Sequence, residues 1–372
     1  MSQMENVLGG LWEKFPLKTG HRWLNCLLVF VPLSVAFSVL HLSPLLIFVS
    51  TALAIAPMAG VLGESTSSLA AYAGPTAGGL LNASMGNATE FIIALFALHE
   101  GHIRVVKASL SGSIIGNLLL VLGLSIVVGG AKKDFLRFSR TTTSMHSTML
   151  MIAVAALVMP AVFNLTVYGE LRHENATIEH LSLWTSAILI ALYCVNLIFV
   201  FWTHRELFQS IKQECCVPEL SRRQALISLA LSTAIIALLS EILVSQIEPV
   251  TRMVGMSELF VGVIVIAIIG NAAENSTAII MAKRQKIDLA MTIATSSSTQ
   301  IALLIAPVLV FLSVWMGHPM TLVFNGFEIA AIILSVVIVE MISADGETNW
   351  FEGAQLLAVY AIVAVAFYFV TE

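Results

Sequence analysis

The chain has 372 residues, 58% of them hydrophobic and 11% charged, with a mean hydropathy of +0.92. A soluble domain is about 45–50% apolar and about 25% charged, so this composition excludes a soluble globular protein and describes a polytopic membrane protein. The formal net charge of -5 resides mostly in loops, and no basic stripe suits nucleic acid.

A transmembrane helix needs about 20 apolar residues. Eleven stretches qualify in chain order: 22–40, 44–63, 76–98, 104–129, 145–163, 180–202, 224–246, 257–281, 288–315, 320–341 and 351–370. The first lacks a small-residue cleavage site after it and reads as an uncleaved span. The longest polar stretch, near 203–223, reads as a linker between two halves. Cys26 and Cys194 fall in spans, and Cys215 and Cys216 in that linker. Their spacing suits neither a disulfide framework nor a zinc site.

Orientation follows from Lys and Arg. With the N-terminus inside, the inner side holds Lys14, Lys18, Arg22, Lys132, Lys133, Arg137, Arg140, Arg205, Lys212, Arg222, Arg223, Lys283, Arg284 and Lys286. The outer side keeps Arg104, Lys107, Arg172 and Arg252. The short N-terminus suggests the plasma membrane of a microbe.

Two segments inside apolar runs are nearly the same segment written twice: Gly86-Asn87-Ala88-Thr89-Glu90 and Gly270-Asn271-Ala272-Ala273-Glu274. A charge at hydrocarbon depth costs about 2.5–3.5 kcal/mol on insertion scales, so a duplicated one implies use. Setting the first span aside, five helices fall in each half, and an odd number per half inverts the second repeat. The expected architecture is all-α: an N-terminal segment with one helix over 1–43, and inverted five-helix repeats over 44–202 and 224–372. Inverted repeats with sites on interrupted helices near the midplane are a transporter signature.

Asn87 and Glu90 share a helix face, as do Asn271 and Glu274. Gly86 and Gly270 weaken the helix there and let carbonyl oxygens turn toward a site. The downstream helices carry Ser113 and Asn117, and Ser296 and Gln300, which either line the site or act as polar glue between helices. The donors are all hard oxygens, which suits Ca2+ and argues against zinc or copper. Mn2+ is compatible with the same donors. Glu64, Glu90, Glu241, Glu258, Glu274, Glu328 and Glu340 lie in or at the edges of spans with no Lys or Arg mid-span beside them. Such carboxylates bind a cation, take a proton or reach water. Two close together do the first two in turn, which is an exchange mechanism with Glu90 and Glu274 as both cation ligands and proton carriers. Glu241, Glu328 and Glu340 are structural or lie on a proton route. Glu64 opens a polar patch, Glu64-Ser65-Thr66-Ser67-Ser68, with a role in ion access as one reading. His99, His102 and His318 read as solvated loop residues.

At these motifs the chain resembles the calcium/proton exchangers of the cation/calcium exchanger superfamily. The resemblance extends over about 60–370 and takes in Gly78-Gly79-Leu80-Leu81-Asn82-Ala83, Thr299-Gln300-Ile301-Ala302-Leu303 and Asp345-Gly346-Glu347-Thr348-Asn349-Trp350-Phe351-Glu352-Gly353. It implies eleven helices in an inverted repeat and Ca2+ movement driven by a proton gradient, with no cofactor. By position, Glu90 and Glu274 are then the central ligands, Asn87 and Asn271 orient or coordinate, and Gly86 and Gly270 offer carbonyls. Ser113, Asn117, Ser296 and Gln300 line the paired helices. The chain departs from the family at Asn275, where histidine is usual, and its linker has few acidic residues. Na+ in place of H+ is the alternative driving ion. An intramembrane enzyme is the alternative class, and no metalloprotease or nucleotide-binding motif supports it.

Overall fold

The structure, a computed structural model, describes residues 22–169, 176–203 and 220–370. Most of the expected linker, 204–219, lies outside the described residues, as do Lys14, Lys18, Arg172, Arg205, Lys212, Cys215 and Cys216.

The described residues are helical almost throughout. It opens with α1 (Arg22–Leu27) and α2 (Phe30–Val39), then α3 (Pro44–Ala73), α4 (Pro75–Met85), α5 (Ala88–His99) and α6 (Ile103–Gly130). There follow α7 (Arg140–Tyr168), α8 (Ala176–Thr203), α9 (Arg222–Ser245) and the short α10 (Ile247–Val254). The last five are α11 (Glu258–Gly270), α12 (Ala272–Lys283), α13 (Ile287–Trp315), α14 (Gly326–Ser343) and α15 (Trp350–Phe369). Among the described residues eight helices are individually long and apolar enough to cross a bilayer, or up to ten with each bent pair counted as one span. The expected eleventh is the first, where the apolar helical stretch Leu24–Val39 is shorter than a full crossing.

Local sequence sets the boundaries. Gly74, at φ 84°, turns the chain between α3 and α4, and Pro75 begins the new helix where its missing N–H costs nothing. Capping boxes start α9 (Ser221 with Gln224), α14 (Asn325 with Glu328) and α15 (Asn349 with Glu352). The polar patch from Glu64 to Ser68 does not end its helix as expected at 63. It continues α3 to Ala73, because Ser65 and Thr66 return their hydroxyls to the carbonyls of Val61 and Leu62.

The two ends of the bundle are fixed by contacts between distant loops. At one end β1 (Leu136–Arg137) pairs antiparallel with β2 (Glu347–Thr348), Gln285 Nε2 donates to Gly129 O, and Ser139 N–H donates to Asp288. At the other, Lys107 Nζ donates to Thr321 Oγ1 and Val323 O, and Leu322 N–H donates to Ser182 Oγ. The loops after α6, α12 and α14 therefore share the first end, and those before α6, α8 and α14 the second. The first end carries Lys132, Lys133, Arg137, Arg140, Lys283, Arg284 and Lys286, and is called the basic end below.

The core lies along α3, α6 and α13, whose apolar windows are 67%, 78% and 67% buried. Helices α8 and α15 are peripheral, at 17% and 22%. Both motifs abut this core.

Candidate functional site

Each motif interrupts a membrane-depth helix at its asparagine. Asn87 has φ -98° and ψ 26°, and Asn271 φ -89° and ψ 5°, so the two leave helical geometry in the same way. The expected single spans 76–98 and 257–281 are thus each two half-helices, α4 with α5 and α11 with α12. The hydrogen-bond ladder stops with Gly86 N–H on Asn82 O and resumes with Phe91 N–H on Asn87 O. The second break resumes in step but starts one residue later, running from Asn271 N–H on Ala267 O to Asn275 N–H on Asn271 O. Carbonyls of Ala83, Ser84, Met85 and Gly86, and of Ile268, Ile269 and Gly270, lose their helical donors between these points. Glu90 and Glu274 fall in the first turn of the resumed helices, where the positive helix end favours a carboxylate. Carbonyl-rich C-termini of α4 and α11 meet the same region and favour a cation.

The two motifs face each other. A Cβ added to Gly86 would lie 3.1 Å from Glu274 Oε1, and one added to Gly270 would lie 3.0 Å from Glu90 Cγ. Each glycine thus leaves the room that the opposite glutamate occupies.

The asparagines are held by the paired helices. Asn87, 1% exposed, donates from Nδ2 to Gln300 Oε1 at 2.8 Å and accepts at Oδ1 from Ser297 Oγ at 2.7 Å. Asn117 Nδ2 donates to the same Ser297 Oγ at 3.1 Å. Asn271, 2% exposed, donates from Nδ2 to Ser113 Oγ at 2.9 Å and to Ala267 O at 3.0 Å. The structure so brings together Gly86, Asn87, Glu90, Ser113, Asn117, Gly270, Asn271, Glu274 and Gln300. Ser296 stands apart: it is half-buried and makes none of these bonds. Its neighbour Ser297 takes the place beside Asn87. The 184-residue offset that relates Asn87 to Asn271 relates Ser113 to Ser297, a signal available in the sequence.

The remaining valences mark the chemistry. Glu90 Oε1, Asn271 Oδ1, Glu274 Oε2 and Asn275 Oδ1 are out of solvent contact with no hydrogen-bond partner. Four such orphaned oxygens in one neighbourhood cost several kcal/mol unless a cation or protons satisfy them. A small cleft lined by Glu90, Ile93, Ser109, Leu110, Ser113, Ile266 and Ile301 adjoins them. Among the described residues neither glutamate forms an ion pair with a basic side chain. Among the described residues no three of His, Cys, Asp and Glu gather as a resident metal site. Beside two carboxylates the donors are neutral amides, hydroxyls and carbonyls, a set suited to Ca2+ as cargo.

Just past the site, α6 and α13 each contain a π-helical turn, at Gly116–Val121 and Ile301–Ile305. Such turns displace the ladder and recur at functional sites. Other membrane-depth carboxylates sit elsewhere. Glu328, 2% exposed, closes the capping box of α14 with Asn325 N–H on Oε2 and accepts from Ser111 Oγ on Oε1, both at 2.7 Å. Glu241 is exposed on α9, and Glu340 is half-buried with Oε2 unpartnered.

Comparison with known proteins accords with this geometry. The sodium/calcium exchanger protein family model matches residues 43–202 and 224–369. A Ca2+/H+ antiporter of Synechocystis is 41% identical over 360 residues, covering 92% of this chain and 96% of that protein. The Ca2+/H+ antiporter ChaA of Bacillus subtilis is 44% identical over 343 residues, covering 91% and 96%. The solved structure of native YfkE superposes with a TM-score of 0.81 at 40% identity, covering 93% of this chain and all of that one. With a family match over both halves of its length and relatives above 40% identity along nearly all of it, the chain belongs to the sodium/calcium exchanger protein family.

Proposed function

We propose that the chain is a secondary active antiporter that exchanges Ca2+ for H+ by alternating access, with Glu90 and Glu274 binding the cation or protons in turn. One observation carries the reading: two half-buried carboxylates from duplicated helix breaks face each other's glycine, each with one oxygen out of solvent contact beside further orphaned oxygens, and among the described residues neither pairs with a base. Ca2+ satisfies those oxygens at once, with both carboxylates ionised. When it leaves, two adjacent carboxylates in a low-dielectric site repel, and taking up protons relieves the repulsion. Asn87, Asn271, Ser113, Asn117, Ser297 and Gln300 hold the half-helices in register around the ion. The carbonyls at Gly86 and Gly270 complete the donor set.

Alternating access is supported by an asymmetry between the halves. Helix α11 packs closely along α6, whereas its counterpart α4 lies on α3 and Phe201 rather than along α13. The two halves, 44–202 and 224–372, act as inverted repeats joined by the 203–223 linker. The basic end is cytoplasmic by the positive-inside bias, with the N-terminus on the same side. The Ca2+/H+ antiporters of Synechocystis and Bacillus subtilis support the exchange reading, and a microbial plasma membrane is part of the proposal.

Flux in proteoliposomes tests it. Ca2+ uptake should follow an imposed pH gradient and collapse when that gradient is dissipated. Uptake that ignores the pH gradient and follows a Na+ gradient would overturn proton coupling in favour of Na+.

A further inference from the structure

The 184-residue offset between the motifs also relates the half-helices that lead into them. Gly262 and Val263 on α11 correspond to Gly78 and Gly79 on α4. Ala108 and Gly112 on α6 correspond to Thr292 and Ser296 on α13. The first set is shut. A Cβ at Gly262 would fall 2.5 Å from Ala108 Cβ, and one at Gly112 would fall 2.1 Å from Val263 O. Ala108 is 0% and Val263 1% exposed. Helices touch backbone to backbone here, which only small residues permit.

The second set is parted. Gly78 backs onto α3, where an added Cβ would fall 2.0 Å from Ala70 O, and Gly79 faces the Phe201 ring at 2.1 Å. Thr292 and Ser296 are only half-buried, and among the described residues their hydroxyls make no hydrogen bond. They are four apart and share one face of α13. That face lies between the basic end and the site, since α13 begins at Ile287 beside Gln285 and Asp288.

We propose that Thr292 and Ser296 are the seat of a gate on the basic side of the membrane. In the opposite state α4 leaves Ala70 and Phe201 and lays Gly78 and Gly79 across Thr292 and Ser296, as Gly262 and Val263 now lie across Ala108 and Gly112. The inference rests on the antiporter reading and adds to it the residues that close one side. It also explains why Ser296, a polar residue at site depth in the sequence, takes no part in the site. The seat keeps small side chains for close approach, and its two hydroxyls wet the passage while it is open. On closure they turn to carbonyls four residues back, as Thr295 and Thr299 already do, so no polar group is left dry and unpaired.

The test uses the full chain in proteoliposomes. Thr292→Phe places a ring in the open passage, so the present packing survives while the seat is blocked. Its Ca2+ binding from the basic side should stay within about threefold, and its exchange rate should fall by about tenfold or more, since the blocked step is the conformational one. Thr292→Ala should exchange within about twofold of the unsubstituted chain, because a smaller seat still closes. A Thr292→Phe protein that exchanges at the unsubstituted rate would overturn the gate. Should Thr292→Phe not fold, a pair of cysteines decides. Gly79→Cys with Ser296→Cys, in a chain whose Cys26, Cys194, Cys215 and Cys216 are Ser, should cross-link under oxidant and stop exchange. No cross-link in a pair that still exchanges overturns the proposal equally. The antiporter reading fails separately, if the unsubstituted chain moves no Ca2+ against protons.

Discussion

Neutralising one of the paired glutamates is the sharpest perturbation of the site. Glu90→Gln keeps the shape that fits against Gly270 but removes one of two negative charges. A unit charge and a divalent ion about 4 Å apart attract by about 8 kcal/mol at an effective dielectric near 20. Desolvating a carboxylate returns several kcal/mol of that, leaving a net loss of about 3–4 kcal/mol. That corresponds to about a 100- to 1,000-fold weaker Ca2+ affinity. Because each glutamate stands against the opposite motif's glycine, Glu274→Gln should lose about as much, within tenfold. The assay is calorimetric Ca2+ binding on purified protein, paired with flux in proteoliposomes. A Glu90→Gln protein that binds within about threefold of the unsubstituted chain would refute the two-carboxylate site and the exchange built on it.

Ca2+ affinity should fall as pH falls, because protons and Ca2+ compete for the same carboxylate oxygens and each bound proton removes a charge that held the ion. Asn275→His should add a second titrating step near neutral pH to that profile, since the present amide cannot titrate; an unchanged profile would separate the position from proton coupling. Gly270→Ala puts a methyl 3.0 Å from Glu90 Cγ, and should slow exchange by about tenfold with the fold intact by circular dichroism. Glu328→Gln can keep its oxygen on the Asn325 N–H and donate from Nε2 to Ser111 Oγ, which still donates to Ala108 O, and should cost little. Glu328→Ala strands the Asn325 amide and leaves Ser111 only its bond to Ala108 O, and should lower stability in thermal unfolding by about 1–3 kcal/mol while sparing Ca2+ affinity.

Much of this arrangement is legible before any coordinates. A glycine, an asparagine and a glutamate repeated 184 residues apart in apolar runs point to a duplicated site, because groups so costly at that depth call for a use. The lysines and arginines sort the loops that β1, β2 and the Gln285 bond gather at one end. Hydropathy, by contrast, does not separate a broken helix from a continuous one. Spans 76–98 and 257–281 look uniform although each restarts at its asparagine. Ser297 rather than Ser296 meets Asn87, since one residue turns a helical side chain by about 100° to another face. The short α10 escaped notice because its helix rests on a local Glu248–Arg252 pair and on Gly255 in the left-handed region, not on apolar length.

The paired helix breaks bear on how tightly such a carrier couples its two ions. Four carbonyls at the first break and three at the second have lost their helical donors, and four side-chain oxygens beside them have no partner among the described residues. In a water-filled passage solvent serves them all. When the passage closes, water must leave, and an empty site with both carboxylates charged would strand every one of these oxygens in a dry interior. Only a loaded site, holding either the metal ion or protons, escapes that penalty. On the proposed mechanism the unloaded form is thereby barred from crossing, so the breaks that would bind the ion would also prevent slippage, and neither ion gradient would drain without work on the other.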